Sequence, residues 1–486
     1  MSDYKHGIGT DRQTAEPATP KQNAESAVLV VGTAPINLAS SPAVNVPVLA
    51  QKKSDAVAAL GYCEEFDKYT LLHSVYSSFN KFGTGPVVFV NVLDPKKRDH
   101  LTALASSDIK VIGGKALLKE TGVMLDKIVV SGSAGELKAG EDYVASFDED
   151  GYVVLAATDT GAMKNLESIS VAGSKLNPEG VTEADIIGGI DEDGNRSGLE
   201  LVDEVFPRLG VVPTILIAPG FSKKPAVAAA LEAKAQLIYS TTNAFALVDL
   251  SSASDGATKK EDVAKEKAKT TVADRWNVPL WPMALVDGYK IWMSAHAAAL
   301  IQSNTTQHNG IPSDSPDNHD FMIDGLCLED GTPVFMTQDD VNDYLNAQGI
   351  CSALKLPTWK FWGNNTAAYP TSKAAMNRYI KSVLMLNWME NTFKLNYLSS
   401  IGRNASTKQI NDIVDRFNQY LNGLTPDHLA GGSIVFDIDE NPIEDRLAGR
   451  YKFRTRYADW IPTEYIENIF EYDVSILEAA TEGGDE

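Results

Sequence analysis

The stretch VVPTILIAPGFSKKPAVAAALEAKAQLIYSTTNAFALVDL at 211–250 restricts the fold more than any other part of the chain. Its two apolar runs, VVPTILI and AFALVDL, do not alternate with polar residues, so each strand must be buried on both faces. Between them stand a tight Pro219-Gly220 turn and an Ala-rich helical stretch. Strand, helix and strand without a hairpin turn make a crossover, and the two strands lie parallel. The same grammar appears earlier, in SAVLVVGTAP (26–35) and GPVVFVNVL (85–93). Two helices lie between these strands. Ser54 is placed to cap the first, starting at Asp55. The second, DKYTLLHSVYSSFNKFG, sets Leu72, Val75, Tyr76 and Phe79 on one face and stops at Gly83.

Elsewhere the text changes. From about 99 to 180 it consists of short alternating pieces (DKIVVSGS, EDYVASF, GYVVLAA, SISVAGS) separated by turns such as DEDG at 148–151. Pieces at this spacing predict a small β-sandwich inserted into a loop of the α/β part. Residues 251–269 read as a solvated lead-in to a helix ending near Trp276. NRYIKSVLMLNWMENTFKLNYL and TKQINDIVDRFNQYLNGL predict two amphipathic helices, the second with Ile410, Ile413, Val414, Phe417 and Leu421 at helical spacing. SIVFDID and GRYKFRTRYAD follow Gly431-Gly432 as strands, so this part reads as α+β. Both ends are unanchored. Residues 1–25 are polar, with Pro17 and Pro20, and read as an extended arm. FEYDVSI at 470–476 alternates strictly, which predicts a terminal strand burying Phe470, Tyr472, Val474 and Ile476.

The chemistry of a ligand site is sparse. A net charge of −22 argues against nucleic acid or anionic membranes as partners, which require clustered Lys and Arg. No apolar run approaches a membrane span, and the start lacks the apolar core of a signal peptide, so a cytosolic origin is expected. Cys63, Cys327 and Cys351 are scattered and read as buried or bystander thiols. VIGGKALL (111–118) lacks the first glycine of a phosphate loop and has Ala116 at the metal-binding position. GTGPVV (83–88) and SGSAG (131–135) likewise miss their motifs and read as turns. In DEDGNRSG (191–198), Asp191, Asp193, Asn195 and Ser197 alternate as calcium ligands do. The glycine falls at the fourth position, however, and Val202 stands where a closing Glu belongs. A surface turn, with Ser197 or a neighbour capping the next helix, is the expectation. The seven histidines show no metal-ligand spacing, and His319 beside Asp320 reads as a loop hydrogen bond. At the two clearest strand ends only Lys223 and Lys224 are ionisable. No catalytic, cofactor or metal residues are assigned.

Several of these stretches, in their order and spacing, resemble the sheath proteins of contractile phage tails and phage-tail-like particles, over most of the chain. TILIAPGFSKKPAVAAALEAKA with AFALVDL is similar to the family's central block. SPDNHDFMIDGL resembles its mid-chain loop, and LNAQGICSALKLPTWKFWGNNTA (345–367) its best-known stretch. GGSIVFDIDENP and YADWIPTEYIENIFEYDVSI resemble its C-terminal strands. Asn365 departs from the Arg usual there, which puts that guanidinium contact in doubt. Trp359, Phe361 and Trp362 in the same stretch read as core aromatics.

The resemblance implies an α/β multidomain chain. It would comprise an N-terminal arm (1–25), a central α/β domain (26–98 and 181–344), an inserted β-sandwich decoration domain (99–180), an α+β assembly domain (345–464) and a C-terminal arm (465–486). It implies a non-enzymatic subunit without cofactors, polymerised as stacked hexameric rings around a tail tube, with baseplate and terminator proteins as further partners. The arms would add strands to neighbouring subunits through Tyr4, Ile8, Ile466, Phe470, Tyr472, Val474 and Ile476. The expected place is a virion tail assembled in a bacterial cytoplasm. A bacteriocin or injection-particle sheath is the alternative within the class, and a doubly wound α/β enzyme the alternative outside it.

Overall fold

Six strands form the central sheet of the computed structural model, which describes residues 25–482. Their spatial order is Asn277–Leu280, Phe245–Asp249, Val211–Ile217, Glu25–Gly32, Val87–Asn91, Val48–Ala50. The first five are mutually parallel, and Val48–Ala50 closes one edge antiparallel to Val87–Asn91. Every residue of Phe245–Asp249 and Val87–Asn91 is buried, as unbroken apolar runs require of strands covered on both faces. The coverage comes from Leu71–Val75 with its continuation Tyr76–Lys81, and from Pro225–Gln236 and Met293–Gln307.

Residues 101–176 leave this core and return to it side by side. Leu101–Lys110 pairs antiparallel with Ser168–Leu176, with Leu101 opposite Leu176. This pair belongs to a four-stranded sheet, and a three-stranded sheet lies across from it. Leu104, Val130, Ile169 and Val171 from one sheet meet Leu118, Tyr143, Val153 and Leu155 from the other in one apolar cluster. Near the C-terminus, Ile380–Tyr397 and Thr407–Leu424 pack with the two-stranded sheet Leu429–Val435/Arg454–Asp459 around Trp388, Phe417, Tyr420 and Leu421.

The structure departs from the sequence expectations at five places. Ser54 does not cap its helix, which starts at Lys53. The Asp55 carboxylate instead accepts from the backbone N–H groups of Gln51 (3.1 Å) and Lys52 (3.3 Å), adding negative charge at the helix start. The helix expected to end near Trp276 spans Val263–Thr270 and stops at Thr271, whose φ is 61°. The chain needs those last residues to return to the sheet at Asn277. Ser197 closes a hairpin rather than a helix, its hydroxyl accepting from the Gly189 N–H at 3.2 Å. Ile380–Tyr397 is buried on almost every side instead of amphipathic, because it lies between two bodies of the protein. Asn387 and Asn391 donate to the carbonyls of Ala244 (3.0 Å) and Asn243 (2.7 Å) on one side. Trp388 and Phe393 meet Tyr420 and Phe417 on the other. Finally, FEYDVSI is not a strand in the single subunit. Its last residues open the helix Val474–Glu482, with the Asp473 carboxylate accepting from the Ser475 N–H at 2.9 Å. Without a strand to pair with, Leu, Glu and Ala following Val474 settle locally into a helix.

Two buried histidines couple the core to pH. His73 Nε2 donates to the Phe66 carbonyl at 2.9 Å, and its Nδ1 accepts from the Trp292 N–H at 3.3 Å. His296 Nε2 donates to the Phe321 carbonyl at 2.7 Å, and its Nδ1 meets the Ser77 hydroxyl at 3.0 Å. A second ring proton would face a donor at His73, and burial lowers both groups to about 4. Their stabilising contribution is therefore complete above the ordinary histidine range and is lost as pH falls through about 4. Asp249, raised to about 6 by burial, has the opposite sign and offsets part of the loss. Denaturant unfolding should show the Asp249→Asn protein losing about 3 kcal/mol per histidine between roughly pH 7 and pH 4. Adding His73→Gln and His296→Gln should flatten that profile.

Candidate assembly interface

The strand ends where an α/β enzyme would hold its ligand are occupied by internal bonds. At the end of Phe245–Asp249, the Asp249 carboxylate accepts from Ser294 N–H (2.8 Å), Ser294 Oγ (2.5 Å) and Ser222 Oγ (3.2 Å). It thereby ties the start of Met293–Gln307 to the Pro219-Gly220 turn. Gly220 has φ 78°, and a Cβ there would lie 2.9 Å from Trp292 Nε1, so the turn admits only glycine. Lys223 pairs with Glu329 at 2.5 Å and lies over the Trp292 ring, while Lys224 is 4.0 Å from Glu183. The other sequence candidates are also spent locally. Asp191 Oδ1 accepts from the backbone of Asp193 (3.0 Å) and Asn195 (2.8 Å), holding a hairpin turn. His319 pairs with Asp314 at 2.8 Å rather than with Asp320, which binds Lys360 at 2.8 Å. Cys327 and Cys351 are buried and Cys63 half-buried, all as free thiols.

The stretch 345–367 folds as two loops and a hairpin pressed together. Gly349 has φ 64°, and a Cβ there would lie 2.5 Å from both the Thr366 and Tyr369 carbonyl oxygens. The ammonium of Lys267 binds the two loops, donating to the carbonyls of Gln348 (2.6 Å), Ala367 (2.9 Å) and Tyr369 (3.2 Å). Burial lowers this lysine to about 8. Phe361 is fully buried against Phe321, whereas Trp359 and Trp362 are half-buried, donating to the Asp324 carbonyl (3.0 Å) and to Asn342 Oδ1 (3.1 Å).

Asn365 leads from these loops to the tail. A guanidinium does reach it, from Arg378, whose Nε donates to Asn365 Oδ1 at 2.7 Å. The same guanidinium stacks on Tyr369 and Tyr379 and pairs with Glu464 at 2.5 Å. Lys381 donates to the Trp460 carbonyl, Ser382 donates to Asp459 at 2.7 Å, and Trp460 Nε1 donates to the Pro426 carbonyl at 2.6 Å. Sequence reading missed this anchorage, because none of its members carries a motif. Beyond Glu464 the side chains are bare: Tyr465, Ile466, Ile469, Phe470 and Tyr472 are 78%, 83%, 82%, 90% and 80% exposed. Val474 and Ile476 are exposed too, on the terminal helix. Tyr4 and Ile8 lie outside the described residues.

The counterpart of this apolar tail is a bare sheet edge. Among the described residues, Leu429–Val435 and Arg454–Asp459 pair only with each other. On the first strand, the Asn418 amide covers both outward groups of Ile434, accepting from its N–H (2.8 Å) and donating to its carbonyl (2.9 Å). Ile434 stands opposite Thr455, so in an antiparallel ladder Thr455 and Tyr457 turn their N–H and C=O groups outward on the other edge. Phe453 and Tyr457 face the helical core there, and Arg454 and Arg456 face solvent.

Arg378→Ala should release the tail's root. It would remove an ion pair, a side-chain hydrogen bond and two ring contacts, together worth about 1–3 kcal/mol. Hydrogen exchange should then accelerate across 459–464, with the central sheet unchanged.

No family model matches the chain. A tail sheath protein of Burkholderia phage BcepMu is 26% identical over 483 residues, 95% of each chain. A major tail sheath protein of Serratia phage KSP20 is 24% identical over 410 residues, 79% of this chain and 94% of that one. Two solved structures share the fold. One is the helical sheath of the anti-feeding prophage in its contracted state (TM-score 0.55, 13% identity, 96% of this chain and 99% of that one). The other is a chain of the same particle's six-fold symmetrised baseplate (TM-score 0.56, 14% identity, 97% and 99%).

Proposed function

This chain belongs to the contractile tail sheath family, and we propose that it is a sheath subunit that polymerises through exchanged terminal strands. The carrying observation is an exposed apolar tail and an unpaired sheet edge on one chain. Strand addition joins such surfaces by backbone hydrogen bonds and sets register by alternate side chains. Where each subunit gives its tail to one neighbour and receives a tail on its edge from another, the contact propagates instead of closing as a dimer.

The two surfaces match in face and in charge. A tail strand along Arg454–Asp459 places Phe470 and Tyr472 beside Phe453 and Tyr457 on the core side. It places Glu471 and Asp473 on the wet side beside Arg456 and Arg454, the latter also paired with Glu440 at 2.6 Å. Asn418 occupies the other edge, so the tail adds along this one. Ile466, Val474 and Ile476 extend the contact, with Tyr4 and Ile8 serving the N-terminal arm in the same way. The polymer is a stack of hexameric rings around a tail tube, bounded by baseplate and terminator. It contracts to drive the tube through a host envelope, the work coming from a bistable set of interfaces. The organisation is that set out from sequence: a central α/β domain, a decoration sandwich at 99–180, an assembly domain at 345–464, and arms at either end.

A chain ending at Glu464 should be folded and monomeric, melting with the parent, and should form no tubes in the electron microscope. Phe470→Asp with Tyr472→Asp should do the same, whereas Glu471→Ser with Asp473→Ser should weaken assembly only mildly and remove part of its salt dependence. Unfolding of the shortened chain would mean that the tail completes its own subunit. Normal tubes from the Asp variant would end the exchange reading.

The insertion provides a separate test. Asn177 N–H donates to the His100 carbonyl at 2.8 Å, so the ends of the excised segment already touch. Joining His100 to Asn177 through a short Gly linker should leave tube formation intact and thin the wall in cross-section.

A further inference from the structure

We infer that the terminal helix Val474–Glu482 is a second docking element, seated in an apolar groove on the neighbouring copy that receives the tail. The inference rests on the proposed strand exchange and concerns the residues beyond the donated strand. In the single subunit this helix covers nothing: Val474, Ile476 and Leu477 are all exposed on it. The groove, of about 850 Å³, lies between the start of Thr407–Leu424 and the residues after Leu429–Val435. Ile410, Val435, Ile438, Ile443 and Leu447 line it. Ile438, Ile443 and Leu447 are exposed, Leu447 by 80%.

Three observations favour the terminal helix of a second copy as the occupant. The first is charge. Arg446 lines the groove with a buried Nε that has no hydrogen-bond partner, and its guanidinium makes no ion pair among the described residues. The terminal helix carries Glu478 beside Leu477. A buried N–H without a partner is costly, and a carboxylate entering with an apolar helix would satisfy it.

The second is continuity. Val435 stands opposite Arg454 at one end of the sheet, and both Val435 and Tyr451 line the groove. A tail added antiparallel to Arg454–Asp459 delivers Asp473 to the Arg454 end, so the helix begins at the groove. Parallel addition would deliver it to the Asp459 end, away from the groove.

The third is pattern. Strict alternation ends at Ile476, within the first turn of the helix, and Val474, Leu477 and Thr481 recur at helical spacing. Strand and helix thus divide the tail. Phe470 and Tyr472 serve the sheet edge, and Leu477 and Glu478 the groove.

The test is the concentration at which the full-length protein forms tubes, followed by sedimentation and electron microscopy. Leu477→Asp in the helix and Leu447→Asp in the groove should each raise it about tenfold. Both positions are exposed, and matching melts will confirm folding. Glu478→Lys and Arg446→Glu should each weaken assembly, and the double variant should recover most of the loss. Parental assembly by both Asp variants, or no recovery in the charge exchange, overturns the inference. Chains ending at Asp473 and at Glu464 separate it from its premise. If the first assembles like the parent and the second not at all, strand exchange stands and groove docking falls. If both assemble like the parent, exchange itself falls and takes the groove with it. A first chain that needs about tenfold more protein, beside a second that fails, supports both.

Discussion

The carboxylate of Asp249 holds the two halves of the central α/β body together. It ends a strand buried on both faces and accepts hydrogen bonds from Ser222 in one crossover and from Ser294 at the start of the helix that covers the sheet. A buried acid at the amino end of a helix complements the helix dipole and satisfies a backbone N–H that would otherwise be orphaned. His73 accepts from Trp292 two residues away, and His296 sits one turn along the same helix. In an α/β enzyme, an acid, hydroxyls and a histidine at this place would face a substrate. Here the acid faces the two serines, the histidines face backbone groups and Ser77, and the sheet's carboxyl ends form a joint.

That rigidity gives the C-terminal part something to be built on. Ile380–Tyr397 is fastened to the core through Asn243 and Ala244 and carries the residues that hold Asp459 and Trp460. Arg378 and Lys267 extend the fastening into the stacked loops of 345–370, each through a cation satisfied by several partners. The chain is therefore held firmly up to Glu464 and bare beyond it. A two-stranded sheet is marginal alone in water, and an exposed apolar tail is a liability unless something covers it. On this reading, one subunit's deficit is supplied by the next.

Legibility varied with the range of the interactions. The runs at 26–35, 85–93 and 211–250 announced buried parallel strands because continuous apolar character has few other uses. Helix Thr407–Leu424 was readable because its apolar residues recur at helical spacing on one face. Ile380–Tyr397 was misread, since its buried Asn, Ser, Thr and Lys look solvated until their partners at 243–244 and 459–460 are known. The Arg378 junction left no local trace, as its partners are scattered between 365 and 464.

Local pattern was enough to establish the mixed α/β class, the parallel sheet, the separate β-rich insertion and the apolar character of the tail. Each depends on which faces of a short segment must avoid water. The conformation of FEYDVSI was beyond it, because alternation describes a strand only when a sheet is at hand, and the isolated tail turns into helix at Val474. Only the folded arrangement decided which sheet edge stays open, through Asn418 closing the other, and which charges stand along it. Such choices rest on partners distant in the chain, and spacing along a sequence carries no record of who meets whom in space.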